Sequence, residues 1–237
     1  MKSFRQFRNI SLTIMFLIIA QVSFANTFTG NGGPGKIRVM FYNVENLFDT
    51  IDDPAINDSE YLPGSKLNWN SEKYNTKLQN IAYVVDLLGT EKLPDIIGLC
   101  EIENRKVLEE LISQKSMKKN KFRIVHQDSP DERGIDVALL YSGKAFRLLD
   151  YKSLPVIFQD DPDDKTRDIL YARLLDKKKD TIHFFVNHWP SRSGGQAKSE
   201  PKRIEAANTL LKELKNIYSD NRNPIVIIMG DFNDEPD

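Results

Sequence analysis

The sequence predicts a single domain of mixed α and β class, in which helices cover sheets that are partly antiparallel. Segments with helical spacing of apolar residues alternate with strand-like runs in the first half, and residues from 122 onward are rich in strand-like runs. No internal repeat and no linker-like segment follows residue 36. The 237 residues, of which 40% are hydrophobic and 28% charged, are enough to bury a core.

Residues 1–25 have the composition of a secretory signal peptide. An apolar run (10–20) follows three basic residues, and Ser23 and Ala25 are the small residues that a cleavage site needs. The run is shorter than the roughly 20 residues that a membrane span needs, which favours a cleaved signal over a membrane anchor. We therefore expect export, periplasmic or secreted, with no stable membrane anchor after cleavage.

Residues 26–36 form a flexible, Gly-rich lead-in. They contain Gly-x-x-x-x-Gly-Lys, but a phosphate-binding loop follows a strand and opens a helix, whereas here Ile37 begins a strand. The net charge of −1 argues against a strong, sequence-independent grip on a polyanion. The lone Cys100 lies in an apolar run, so we expect a buried thiol and no internal disulfide.

The first half of the domain, which we expect to span residues 37–237, reads as strand, helix, strand and short helix. Residues 37–42 alternate between apolar and polar positions, as a strand does. Apolar residues at helical spacing over 74–88 predict a helix that stops at Gly89. A second strand is predicted over 95–100, and Asn104 is placed to cap the short helix that follows it.

The second half reads as a series of strands, one long helix and a closing strand. The strands are predicted over 122–127, 134–141, 145–151, 169–175 and 181–187. A helix opens near Ser199, with Pro201 in its first turn. Its predicted buried face consists of Ile204, Ala207, Leu211, Leu214 and Tyr218. The apolar run 225–229 predicts a last buried strand, which ends at Gly230.

Polar side chains lie at the ends of four of the predicted strands. All of them offer an oxygen or an imidazole nitrogen as a possible metal ligand. They are Asn43 and Glu45, Glu101 and Glu103, His188, and Asp231 and Asn233. Four such strand ends in one domain suggest a shared rim on which they converge. Carboxylates with carboxamides suit Mg²⁺ or Mn²⁺, which prefer hard oxygen ligands, whereas a structural zinc site lacks ligands here.

His188 has neighbours that suggest more than a structural histidine. Arg192 and a Gly-rich turn follow it, so that imidazole, guanidinium and backbone donors can meet an oxyanion together. Arg133 and Asp136 are weaker candidates for the same site. Asp136 interrupts an apolar strand, where a carboxylate needs a partner, and we expect that partner to be His188.

Five segments in this order resemble the endonuclease/exonuclease/phosphatase family, whose members include pancreatic-type deoxyribonucleases. They are FYNVENLFD (41–49), DIIGLCEIEN (95–104), RGIDVALLY (133–141), VNHWPSRSGG (186–195) and IIMGDFND (227–234). The resemblance spans residues 36–237. It implies an α/β fold in the form of a four-layer α/β/β/α sandwich of two mostly antiparallel sheets. It also implies divalent-metal-dependent hydrolysis of phosphoesters.

The resemblance implies roles for individual residues. Glu101 resembles the family's metal-binding glutamate, Asn43 its site asparagine, and Glu45 a position near the metal. Asp231 resembles the aspartate that orients or deprotonates the attacking water, and Asn233 the amide that binds the scissile phosphate. His188 and Asp136 join the expected catalytic set, and Arg133 and Arg192 are expected to bind the substrate phosphate. Mg²⁺ is the expected ion, with Mn²⁺ or Ca²⁺ as alternatives.

The family's closing Ser-Asp-His block does not occur in the 237 residues. We therefore expect a truncated copy or a partial sequence, without the last strands of the sandwich, which is active only if the remainder exists. The expected activity is that of an exported, monomeric phosphodiesterase or nuclease. A phosphomonoesterase or a lipid phosphodiesterase is the alternative within the family, and an inactive relative that acts as a binding protein is the alternative from another class.

Overall fold

The computed structural model describes residues 37–89 and 92–235, so the expected signal peptide and lead-in lie outside the described residues. The strands are β1 (Val39–Leu47), β2 (Ile96–Ile102), β3 (Phe122–His126), β4 (Asp136–Ser142), β5 (Phe146–Leu154), β6 (Ile169–Asp176), β7 (Thr181–His188) and β8 (Ile225–Asp231). The helices are α1 (Ser71–Gly89), α2 (Arg105–Ile112) and α3 (Gln196–Asp220). As expected, Asn104 caps α2, because its side chain accepts a hydrogen bond from the Val107 amide at 3.1 Å.

The strands form two four-stranded sheets, in the orders β1-β2-β4-β3 and β5-β6-β7-β8. Each sheet contains one parallel pair, β1 with β2 and β7 with β8, and its other pairs are antiparallel. The two parallel pairs bring the carboxyl ends of β1, β2, β7 and β8 to one end of the domain. These are the strand ends that carry the polar residues singled out in the sequence.

Three apolar clusters separate four layers, which confirms the predicted α/β/β/α sandwich. One cluster joins α1 and α2 to the first sheet, through residues such as Leu78, Leu108 and Leu140. A second lies between the sheets, where Leu139 and Phe184 are fully buried. The third joins α3 to the outer face of the second sheet. Cys100 belongs to the cluster between the sheets and is a free, buried thiol, as expected.

The predicted buried face of α3 is largely wrong. Ile204, Leu211 and Tyr218 are 52%, 49% and 51% exposed, and only Leu214 packs against the core as expected. The covered face instead consists of Ser199, Arg203, Ala206, Leu210, Glu213 and Ile217. Two of these residues are charged, and apolar spacing alone does not detect a covered face whose charges find partners inside the fold.

The exposed Tyr218 of α3 lies beside an open edge of the second sheet. Among the described residues, β8 pairs only with β7. A cavity of about 600 Å³ runs along it, between Tyr218 of α3, the apolar residues of β8, and Ile37 and Val39 near the start of the first sheet. None of the helices in the described segments is long and apolar enough to cross a bilayer.

Gly230 is required where β8 approaches β7. A Cβ at this position would lie 2.4 Å from the Asn187 carbonyl oxygen and 2.6 Å from the Asn187 Cβ. Since the nearest atom belongs to the backbone, the strands would have to separate. We expect Gly230→Ala to lower the free energy of unfolding by about 1–3 kcal/mol, measured by urea denaturation. Gly64→Ala is the matched control, because a Cβ there meets nothing within 4 Å, and an equal loss in both variants would contradict this account.

Candidate active site

A single amide joins the two carboxylates that the sequence singled out. Asn43 Nδ2 donates to Glu101 Oε1 at 3.1 Å and to Asp231 Oδ2 at 3.0 Å. These residues lie on β1, β2 and β8, and residues 43 and 231 are far apart in sequence. The predicted convergence of the strand ends is therefore seen in the structure. The amide presents its nitrogen to the carboxylates, while its oxygen accepts a hydrogen bond from the Glu45 amide at 2.9 Å.

Backbone irregularities turn these side chains toward one another. The pairing of β2 with β4 shifts register between Cys100 and Ile102, and Glu101 has a φ of 64° at that bulge. The pairing of β1 with β2 shifts between Asn43 and Leu47, where Glu45 has a φ of 54°. Left-handed backbone at residues other than glycine is uncommon and costs of the order of 1–3 kcal/mol. Bulges next to active sites re-aim side chains in this way.

The loop after β8 holds Asp231 in place. Asp231 Oδ1 accepts a hydrogen bond from the Asn233 amide at 3.0 Å, and Asn233 has a φ of 50°. The Asn233 side chain donates to the Trp189 carbonyl at 2.9 Å. The Trp189 amide in turn donates to the Asp231 carbonyl at 2.9 Å. Asp231 and Asn233 are thus tied to the end of β7 as well as to each other.

His188 lies beside Glu101 and is neutral. Its Nε2 is 3.8 Å from Glu101 Oε1, and the side chain is buried. Burial, together with the positive charges of Arg167 and Arg133, lowers the pKa of His188 to about 2. Its Nδ1 is buried and has no hydrogen-bond partner among the described residues. A neutral imidazole at this point keeps one N–H that can donate to a developing oxyanion.

The predicted pairing of Asp136 with His188 is wrong. Asp136 instead accepts hydrogen bonds from the backbone amide of Ser129, at 2.8 Å, and from its hydroxyl. Its second oxygen lies 3.4 Å from Nε2 of His126, which stands two residues away across the β3–β4 pairing. The sequence did not separate the two histidines as partners, because strand register decides which of them faces Asp136. A catalytic role for Asp136 stays a prediction.

Glu45, Arg133 and Arg192, the remaining predicted site residues, make other contacts in the structure. The structure gives no hydrogen bond or ion pair between the Glu45 carboxylate and another described residue, and Lys77 donates to the Glu45 backbone carbonyl. Arg133 is about half exposed and lies 3.5 Å from Asp131. Arg192 donates to Asn233 and to the two acidic residues after it. A metal-binding role for Glu45 and phosphate-binding roles for both arginines stay predictions.

A model of the endonuclease/exonuclease/phosphatase family matches residues 38–237. The chain belongs to this family. The match covers both sheets and every residue of the proposed site. It thereby confirms the resemblance found in the sequence.

Solved structures with the same fold share little sequence with this chain. The catalytic domain of human Nocturnin is 21% identical, with a TM-score of 0.57, over 84% of this chain and 66% of that one. TDP2 from Caenorhabditis elegans is 17% identical, with a TM-score of 0.56, over 84% and 48%. A Bacteroides thetaiotaomicron mannosyl-6-phosphatase is 16% identical, with a TM-score of 0.55, over 83% and 65%.

The chain thus spans about half to two thirds of the length of these structures. No curated protein sequence matches it. At these identities the likeness concerns the fold alone.

The donors at the centre of the site fit the divalent metal ion that the family uses. Glu101 Oε2 has no hydrogen-bond partner among the described residues, because Asn43 and His188 both face Oε1. One free carboxylate oxygen at the rim, with a second carboxylate nearby, is the oxygen-rich setting that Mg²⁺ or Mn²⁺ prefers. His126, Asp128 and Asp136 form another group, with ligand atoms within 4.8 Å of one another.

Sequence reasoning missed Arg167, which is buried and organises the end of β7. It donates to the His188 carbonyl at 3.2 Å, to the Trp189 carbonyl at 2.7 Å and to Asp131 at 3.0 Å. The neighbouring Asn187 is fully buried and bonds to the Met229 carbonyl of β8 at 3.0 Å. The available signal was the pair Arg167-Asp168 directly before an apolar strand, since charges at such a position need partners.

Glu103, two residues beyond Glu101, makes stability depend on pH. Burial is the main cause that raises its pKa to about 7, and the carboxylates of Asp49, Asp58 and Asp53 add to the effect. The folded state therefore keeps a proton between pH 4.5, the ordinary value, and pH 7, where the unfolded state has released it. This stabilisation is present at low pH and is lost as the pH rises through 7.

We expect Glu103→Gln to remove that dependence. Between pH 5 and pH 8 the wild type should lose about 1–3 kcal/mol of unfolding free energy more than the variant, measured by urea denaturation. Gln retains an oxygen that can accept the Asp49 amide, now bound to Glu103 at 2.6 Å. Parallel stability curves for the two proteins over this pH range would show that Glu103 does not titrate as described.

Proposed function

We propose that this protein is a divalent-metal-dependent phosphodiesterase, most simply a nuclease, that is exported and acts as a monomer. Members of its family are phosphoester hydrolases. The observation that carries the proposal is the Asn43 amide, which holds the Glu101 and Asp231 carboxylates side by side at 3.1 and 3.0 Å. Two carboxylates fixed at one point can serve two different tasks in phosphoester hydrolysis, charge neutralisation and activation of water.

Glu101 is the proposed holder of the metal ion, and Asn43 orients it. A bound divalent ion supplies Lewis acidity, which neutralises the phosphate oxygens in the transition state. The hydrogen bond from Asn43 and the bulge at residue 101 fix the direction of the carboxylate. Preorganisation of this kind avoids reorientation at the moment of reaction.

Asp231 is the proposed residue that orients the attacking water and accepts its proton. Hydrogen bonds from Asn43 and from the Asn233 amide fix its two oxygens, and each keeps a lone pair for water. The Asn233 side chain and the neutral His188 are the proposed donors to the phosphate oxygens, as charge develops on them. In-line attack forms the bond from phosphorus to the water oxygen as the bond from phosphorus to the leaving oxygen breaks, and the leaving oxygen takes a proton from solvent.

A phosphomonoester substrate is the second candidate, and a lipid phosphodiester is tested beside it. One structure with the same fold is that of a mannosyl-6-phosphatase. Another is described as a 2′,3′-cyclic phosphatase, and a cyclic phosphate is itself a diester. The half-exposed side chain of Arg133 is suited to either class, because a guanidinium binds terminal and bridging phosphates alike.

The test is a substrate panel with Mg²⁺ and with EDTA. Single-stranded and double-stranded DNA, RNA, bis(4-nitrophenyl) phosphate, sphingomyelin and sugar phosphates are compared at equal concentration. We expect hydrolysis of the diesters that Mg²⁺ supports and EDTA abolishes. Faster turnover of sugar phosphates would favour the monoesterase, and metal-independent hydrolysis would contradict the proposed mechanism. Binding of a substrate without any turnover would favour the non-catalytic alternative.

Export and the monomeric state have simple tests of their own. Expression of the whole chain in a bacterium, followed by N-terminal sequencing of the exported fraction, should give a protein that begins at Asn26. Retention of the full-length chain in the membrane fraction would contradict export with cleavage. Light scattering during size-exclusion chromatography should give the mass of one chain.

A further inference from the structure

Two arginines, one after β7 and one on α3, hold the loop that follows Asp231 and contains Asn233. We call this set of contacts the arginine latch, which comprises Arg192 and Arg203 together with their partners Asp234 and Glu235. Asp234 bridges the arginines, because its Oδ1 accepts from Arg192 at 3.2 Å and its Oδ2 from Arg203 at 2.9 Å. Arg192 follows β7, and Arg203 lies on α3.

Arg203 is a buried charge whose ionic partner is Asp234. Its side chain is only 2% exposed, and its other hydrogen bond goes to the Ser199 hydroxyl at 2.8 Å. Its second terminal nitrogen has no partner among the described residues. A buried guanidinium that loses its carboxylate is strongly unfavourable, so Arg203 ties α3 to the loop. This contact also explains why the covered face of α3 contains an arginine.

Arg192 directs its guanidinium to the loop with all three nitrogens. Its Nε donates to the Asn233 carbonyl at 3.0 Å, and its two terminal nitrogens donate to Glu235 at 2.8 Å and to Asp234. The guanidinium therefore faces the backbone behind Asn233. Each terminal nitrogen gives one N–H to an acidic side chain of the loop, so the loop itself holds the guanidinium.

The loop needs such support because Asn233 adopts a left-handed conformation, with a φ of 50°. That conformation places the Asn233 amide on Asp231 Oδ1 and the Asn233 side chain on the Trp189 carbonyl. Relaxation of Asn233 would move both the proposed water-orienting carboxylate and the proposed phosphate donor. A shift of about 1 Å in a reacting group can cost about 100-fold in rate.

We propose that Arg192 and Arg203 are positioning residues, which act through Asp234 to fix Asp231 and Asn233 and do not bind the substrate phosphate. The proposal rests on the proposed function, because it concerns how Asp231 and Asn233 of the same site are positioned. It replaces the phosphate-binding role that the sequence suggested for Arg192. It also gives a role to Asp234, whose pKa is lowered chiefly by the hydrogen bond from Arg203.

The kinetic test uses Arg192→Gln, Asp234→Asn and the double variant. An Asn side chain at position 234 keeps an oxygen that can accept from buried Arg203, and thermal melting shows whether each variant retains the fold. Each single variant should lower kcat by about 10- to 100-fold on bis(4-nitrophenyl) phosphate and change KM by less than about threefold. The double variant should lose less than the product of the two single losses, since the two changes share the Arg192–Asp234 contact. A rise of tenfold or more in KM for Arg192→Gln with unchanged kcat, additive with Asp234→Asn, would make Arg192 a phosphate ligand and overturn the proposal.

Amide hydrogen exchange gives a readout that does not need turnover. In Asp234→Asn, and in Arg203→Lys if it folds, the amides of Trp189 and Asn233 should exchange at least tenfold faster than in the wild type. Arg105→Gln is the control, because Arg105 forms an exposed pair with Glu109 on α2 and should leave both readouts unchanged. Unchanged exchange in Asp234→Asn would overturn the latch, whereas an inactive wild type with the expected exchange would contradict only the proposed function.

Discussion

Glu101→Gln is expected to lower kcat for phosphodiester hydrolysis by about 1,000-fold or more in the presence of Mg²⁺. Gln has the shape of Glu and can still accept the hydrogen bond from Asn43, but it carries no charge with which to hold a divalent ion. The ion's stabilisation of transition-state charge, worth several kcal/mol, would be lost with it. The measurement is a comparison of kcat and of Mg²⁺ binding by calorimetry for wild type and variant.

Glu109→Gln is the matched control for this experiment. Glu109 lies on the exposed side of α2, in a pair with Arg105, and it should keep full activity. Thermal melting of both variants shows whether the fold is retained. A Glu101→Gln enzyme that keeps activity within threefold of the wild type would remove Glu101 from the mechanism.

Asp231→Asn is expected to lower kcat by about 100- to 10,000-fold, because the variant has no carboxylate to accept a proton from the attacking water. The new amide can keep the hydrogen bond from the Asn233 backbone, but its NH₂ group would then face the Asn43 NH₂ group, where two donors meet. KM should change far less than kcat, since the loss concerns the transition state. The measurement is steady-state kinetics with saturating Mg²⁺.

Asp220→Asn, at the end of α3 and far from Asp231 in the fold, is the control for the same chemical change. It should be fully active. Equal kinetic effects in the two variants would mean that the loss reflects general charge and not the site. Retention of the wild-type kcat in Asp231→Asn would assign activation of the water to another group.

The sequence predicted the convergence of the polar strand ends, because the strand ends alone determine it. Asn43, Glu101 and Asp231 each lie at the end of a predicted strand, and parallel pairing brings such ends to one edge of a sheet. The convergence followed from periodicity and needed no knowledge of side-chain packing. The bulge at Glu101 was not predictable in the same way, because a register shift depends on the neighbouring strand and not on local composition.

The errors concern charged residues whose partners are distant in sequence. The covered face of α3 includes Arg203 and Glu213, which pair with Asp234 and Lys152, so the helix does not cover its most apolar stripe. Asp136 faces His126 and not His188, because the register of β3 against β4 determines which histidine lies beside it. Such pairings require the tertiary structure.

The central claim is that a divalent ion binds at Glu101, beside Asn43 and Asp231. The most direct test is a crystal of the protein grown or soaked with Mn²⁺, in which anomalous scattering locates the ion. We expect a peak about 2.1 Å from a carboxylate oxygen of Glu101. A peak among His126, Asp128 and Asp136, with none at Glu101, would contradict the claim.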